Sequence, residues 1–221
     1  MISGLSYIGF TTPTAEEWRT FGPEVLGAEV APSSPDGSVR LRVDEAVQRI
    51  IAHPGAENAL AYLGWEAGDA GSLEETAGRV EKDGVTVHRG DAELAKLRAV
   101  ADVAWFTDRF GLRHELSHGL QKGGAFTPGR PISGFRTGEQ GLGHVVLMVP
   151  QLQEGERFFR DVLGFKPSDW MERGMGIRFF HCPGRAARHH TVALAGAKGR
   201  VGLHHLMLEL NSIDDVGTAL D

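Results

Sequence analysis

At 221 residues the chain can form one large domain or two small ones, and an apolar fraction of 41% can fill real cores. The formal charge of −6 is spread with mixed signs and no basic stripe, which argues against a nucleic-acid partner. No apolar run nears the length of a membrane span, and Met1-Ile2-Ser3-Gly4-Leu5 lacks the pattern of a signal peptide. The lone Cys182 excludes an internal disulfide framework, so a cytoplasmic protein with no membrane partner is expected.

Taken in chain order, four segments open alike: Leu5–Phe10, Leu60–Trp65, Leu142–Leu147 and Leu203–Leu208. Each is an apolar run of strand length followed by a turn and a helix signal. After the first, Thr14-Ala15-Glu16-Glu17 reads as a capping box, and after the second Ser72-Leu73-Glu74-Glu75 reads the same way. The third helix is expected from about Leu152 to Leu163, stopped by Gly164; the fourth starts near Ser212. Further strands are expected at Val39–Val43 and Ala46–Ala52 in the first copy, and at Val85–His88, Val100–Phe106 and Leu112–Leu116 in the second. In the third they fall at Gly176–Cys182 and His189–Ala195, with a short extra strand near Lys166–Trp170.

The chain therefore reads as an α+β protein built from βαβββ units, the last one incomplete. A Gly/Pro-rich connector separates the second unit from the third. Residues 1–120 are expected to form an N-terminal domain of two units, 121–134 a linker, and 135–221 a C-terminal domain with one full unit and the start of another.

Six of the ten histidines lie between Gly143 and Met207. Superimposing the four opening strands puts His144 and His205 at equivalent positions, where the N-terminal pair carries Tyr7 and Tyr62. A single His on a strand is more often a core or surface residue. Two at equivalent repeat positions, absent from the sister domain, point to shared metal ligation. Strand alternation sends His204 to the other face. Glu209, four strand residues from His205, is too far along to complete a site, and His114 and His118 read as structural or solvated. His189-His190 opens a strand, and one of the two faces the same interior; a His there can move a proton near neutral pH. A solvated basic hairpin, Arg185-Arg188-His189-His190, is the equal alternative.

Gly141–Leu147, Phe158–Phe165, Phe179–Cys182, His189–Leu194 and His204–Glu209 with Ile213–Gly217, in this order and spacing, resemble the type I extradiol ring-cleavage dioxygenases of the vicinal oxygen chelate superfamily, in the branch that acts on 2,3-dihydroxybiphenyl. Leu5–Phe10, Arg89-Gly90-Asp91 and Phe110-Gly111-Leu112 agree with it, so the resemblance spans the chain. It implies paired βαβββ units and iron-dependent cleavage of a catechol beside its diol. It also implies Fe(II), rather than Mn(II), held by two His and one Glu. Carried over, the metal ligands are His144 and His205, the acid/base is His190, and Val146, Phe179 and Ala193 line the substrate pocket. The third ligand, a Glu, is expected beyond Asp221, in a longer chain. A catechol and dioxygen are the implied partners, and a homo-oligomer the implied assembly. A non-catalytic aromatic-binding protein of the same fold would not need all three histidines, and a glyoxalase-like isomerase would lack the His190 hairpin. An inactive fragment is the remaining alternative.

Overall fold

The computed structural model describes residues 1–183 and 188–220. Arg185 of the basic hairpin and the terminal Asp221 lie outside them. Residues 4–118 build an eight-stranded sheet. Its strands are β1 (Gly4–Thr12), β2 (Glu29–Val30), β3 (Val39–Arg42), β4 (Ile50–Pro54), β5 (Ala59–Glu66), β6 (His88–Arg89), β7 (Asp102–Thr107) and β8 (Arg113–His118). They lie in the order β2-β3-β4-β1-β5-β8-β7-β6. A second, five-stranded sheet runs β10-β11-β12-β9-β13. Its strands are β9 (His144–Val149), β10 (Lys166–Met171), β11 (Ile177–His181), β12 (Val192–Gly196) and β13 (Gly202–Met207).

The repeat explains this order. Within a unit the first and last strands pair in parallel, as β1 does with β4, β5 with β8 and β9 with β12. Units join through their first strands, antiparallel: β1 with β5, and β9 with β13. Each parallel return needs a crossover, and a helix supplies it. The helices are α1 (Trp18–Phe21), α2 (Ala70–Lys82), α3 (Ala92–Arg98), α4 (Leu152–Arg157) and α5 (Ile213–Leu220).

Local chemistry departs from the sequence reading in a few places. Thr14 makes no side-chain cap; the turn after it is a 3-10 turn whose Glu17 N–H donates to the Thr14 backbone carbonyl instead. The cap of α2 is Asp69, whose Oδ1 accepts from Ser72 N–H at 2.7 Å, so this helix starts before the expected box. Pairing in β4 begins only at Ile50, because Asp44 and Arg49 close residues 44–49 into a loop through an ion pair of 2.6 Å. Most of Val85–His88 is likewise unpaired, and β6 is only His88–Arg89. α3, capped by Asp91 onto Leu94 N–H at 2.8 Å, fills a stretch with no expected element. The third helix continues past Arg157 through a wider turn, Phe158–Val162, and ends at Gly164 with φ +84°.

Side chains alternate along the strands except at bulges, and the two faces of each sheet have different fates. Ile8, Leu63 and Trp65 on one sheet, and Val145, Leu147, Val192 and Leu194 on the other, enter one continuous apolar core together with helix residues. The contact between the halves is aromatic. Phe159 lies edge-on to Trp65 with centroids 6.4 Å apart, Phe165 meets Trp65 at 5.2 Å, and Phe158 meets Phe106 at 6.0 Å. His114 belongs to this core and is fully buried. Its Nδ1 accepts from the Trp65 indole at 3.0 Å and its Nε2–H donates to Asp108 at 3.1 Å, which makes it a neutral, satisfied structural histidine. At the rim, Asp83 accepts from both arms of Arg157 at 2.7 and 3.0 Å and from Arg109, tying the end of α2 to α4.

Two stability predictions follow from this junction. Phe159→Ala should cost about 3–5 kcal/mol, because a fully buried ring is lost from the seam; thermal unfolding checks it, and a loss under about 1 kcal/mol would contradict it. The Arg157 hydrogen bonds hold the Asp83 carboxyl below its usual range. The stability from this pair should therefore be present above about pH 4, the unfolded value, and fade as pH falls further. Asp83→Asn should lower Tm at pH 7 and lower it less at pH 3; an equal gap at both would contradict the ion pair.

Candidate active site

The second sheet's other face carries the candidate residues, and strand register places them. On β9 and β13, His144 stands opposite Met207 and Val146 opposite His205. The two histidines are thus diagonal neighbours across one strand pair. Their Nε2 atoms lie 3.4 Å apart. His190 comes in from the third side, just before β12. The Thr191 N–H bonds to Phe180 O at 2.7 Å and the Thr191 carbonyl accepts from Val145 N–H at 3.1 Å, so the chain is pinned to both neighbouring strands. The His190 ring centroid sits 4.0 Å from that of His144. The three expected histidines therefore converge.

The expected pocket residues lie in one lateral row with His205: His205, Val146, Ala193 and Phe179 are successive register partners across β13, β9, β12 and β11. Phe179 closes the row with its ring 5.0 Å from His190. Two residues on, Ala195 and Ile177 pair with each other and extend the same apolar patch. Strict alternation from Ala193 and Phe179 would have found them in the sequence.

His204 corrects the expectation. A β-bulge between Leu203 and His205 breaks the alternation, and His204 Nδ1 lies 2.8 Å from His205 Nδ1 rather than across the sheet. When His205 Nδ1–H is the donor and His204 Nδ1 the acceptor, His205 Nε2 is left with its lone pair for a metal. His189 Nδ1 lies 3.1 Å from His190 Nδ1 in the same manner. Arg188, which the alternative of a basic hairpin would leave solvated, is buried. Its guanidinium bonds Glu209 and the Arg136 and Gly141 carbonyls, holding the chain before His190 against the end of β13. Glu209 is engaged there, away from the histidines.

The electrostatics suit metal ligation. Burial lowers His144 to about 4, with smaller contributions from His190, His205 and Arg188. Burial, and then their histidine neighbours, also lower His190 and His205. All three are therefore neutral at pH 7, and neutral imidazole is the form that binds metal. Two nitrogens that share an ion at about 2.1 Å each can be no more than roughly 4.2 Å apart, and the observed separation falls inside that limit. The pair fits as two ligands of one ion. Among the described residues, no group of three or more His, Cys, Asp or Glu side chains is placed to hold a metal. Cys182 is buried, and that burial pushes its thiol up to about 12, so it offers no thiolate.

No described helix is long and apolar enough to cross a membrane. Residues 141–221 match the family described as Glyoxalase/Bleomycin resistance protein/Dioxygenase superfamily, and residues 5–55 match Dihydroxybiphenyl dioxygenase BphC D1. The whole chain is 39% identical to the biphenyl-2,3-diol 1,2-dioxygenase of Metapseudomonas furukawaii, covering 74% of that protein. It is 34% identical to an iron-dependent extradiol dioxygenase of Rhodococcus jostii, covering 76% of it. The crystal structure of a halotolerant catechol dioxygenase superimposes on the full chain with a TM-score of 0.95 at 44% identity, the chain covering 74% of it. With this similarity along its full length, the chain belongs to the extradiol dioxygenases of the vicinal oxygen chelate fold, enzymes that cleave aromatic rings.

Proposed function

We propose that this chain holds Fe(II) through His144 and His205 and cleaves a catechol of the 2,3-dihydroxybiphenyl type, with His190 as acid/base. The observation that carries the reading is the approach of two neutral imidazole nitrogens to 3.4 Å, with a third imidazole ring centred 4.0 Å from that of His144. A Glu on a strand beside β13 would be the third ligand. The N-terminal sheet supports this placement: there Glu115 stands on a strand parallel to β5, opposite Gly64, which itself pairs with Tyr7. A strand added to β13 in the same way would bring its residue opposite Met207 to the histidines.

Bound Fe(II) supplies an electron path between the diol and dioxygen. The chain's own residues do the rest. The apolar row Val146, Ala193 and Phe179 receives the ring and excludes water beside the diol. The small Ala193 and Ala195 leave width for a second ring. His190 Nε2 or Nδ1 takes a diol proton and can return it to the product, because neutral imidazole is the form that accepts. Support for iron comes from the iron-dependent relative, and support for a biaryl diol from relatives named for that substrate. A cytoplasmic homo-oligomer is part of the same reading.

Two outcomes test it. His144→Ala and His205→Ala should each abolish stoichiometric Fe(II) binding and formation of the yellow ring-opened product from 2,3-dihydroxybiphenyl; retention of iron by either variant would sink the assignment. His190→Gln should keep iron but lower kcat by about 10²–10⁴-fold. An unchanged kcat would return His190 to a structural role.

A further inference from the structure

The N-terminal sheet repeats the geometry of the candidate metal centre. On β1 and β5, Tyr7 stands opposite Gly64 and Gly9 opposite Tyr62. This is the diagonal that places His144 and His205 on β9 and β13. Each tyrosine lies where its partner strand has glycine: a Cβ on Gly64 would meet the Tyr7 ring at 2.3 Å, and one on Gly9 would meet the Tyr62 ring at 2.3 Å. The rings reach the same face and meet edge-on, with centroids 6.0 Å apart. On β8, Glu115 adds a carboxylate with no exposed surface.

A buried carboxylate needs a cation. α3 supplies one from its last turn. Arg98, 7% exposed, donates from Nε and Nη2 to the two Glu115 oxygens at 2.7 and 2.9 Å. Its guanidinium carbon sits 3.8 Å from the centre of the Tyr62 ring. Tyr7 Oη donates to Glu115 at 2.9 Å, Arg113 Nε donates to it at 3.1 Å, and Tyr62 Oη bonds His53 at 2.7 Å. Burial alone would weaken the guanidinium's hold on its proton, yet the Glu115 hydrogen bonds raise Arg98 above the ordinary arginine value.

We propose that the N-terminal half contains a filled counterpart of the metal centre, in which the Arg98 guanidinium takes the place of the ion, and that this site recognises a planar guanidinium cation. α3 is then the element that delivers the cation, and the first sheet keeps its centre occupied without metal.

The test empties the site and refills it. Arg98→Ala should lower Tm by about 5 °C or more, because it removes one of the two guanidiniums that pair with the buried Glu115 carboxylate and leaves only Arg113. About 10 mM guanidinium chloride should recover part of that loss in Arg98→Ala, but raise neither the unmutated protein nor Arg98→Met, relative to equal NaCl. No recovery in a folded Arg98→Ala protein would overturn the proposal. So would an Arg98→Met variant as stable as the unmutated protein, since shape without charge would then suffice. Should Arg98→Ala fail to fold, Arg98→Met/Glu115→Leu should be more stable than Arg98→Met alone; the reverse order would overturn it.

Discussion

The antiparallel, diagonally offset pairing of two opening strands governs this molecule. It occurs once at β1 and β5 and once at β9 and β13, with the same offset. Because side chains alternate, that offset brings one residue from each strand together on the face away from the helices. A one-residue slip would send both to the wrong face and push the core residues out. The apolar packing of Leu63, Trp65, Val145 and Leu147 into the shared core therefore sets the chemistry of the opposite face. Register is held by burial on one side and used for function on the other.

The two copies use this geometry differently. In the first sheet the converging positions are tyrosines, closed by Arg98 and Glu115 into a dry ionic cluster. In the second they are neutral histidines beside an apolar row with small residues, and His205 is exposed. One arrangement is self-satisfied; the other has, among the described residues, no partner of opposite charge for its imidazole nitrogens. The difference rests on few residues. Tyr with Gly two positions later fills the first face, whereas His144 is followed by Val146 and His205 by Met207. The aromatic seam of Phe158, Phe159 and Phe165 against Trp65 and Phe106 then joins the copies into one core.

Much of this was legible in the sequence, because the repeat multiplies weak signals. Four similar strand openings located the unit starts, and equivalence between them selected His144 and His205 before any contact was seen. The short β10 and the stop at Gly164 were also legible, since alternation and a positive-φ glycine leave local marks. What was missed depends on long-range partners. Arg188 could pass for a solvated charge because its acceptors, Glu209 and the Gly141 carbonyl, lie 21 and 47 residues away. α3 is a single short helix with a weak apolar pattern, held by Arg98 reaching Glu115 rather than by its own periodicity. The His204 bulge changes the strand period at one residue, which no period-two reading detects. The expected cap at Thr14 failed because a backbone carbonyl took the role of the hydroxyl.

On the proposed reading, iron enters between His144 and His205. An anomalous difference map at the iron edge, from crystals grown anaerobically with Fe(II), tests it most directly. The account predicts one peak per chain, within bonding distance of both Nε2 atoms. A peak bound by neither histidine, or one among Tyr7, Tyr62 and Glu115, would contradict it.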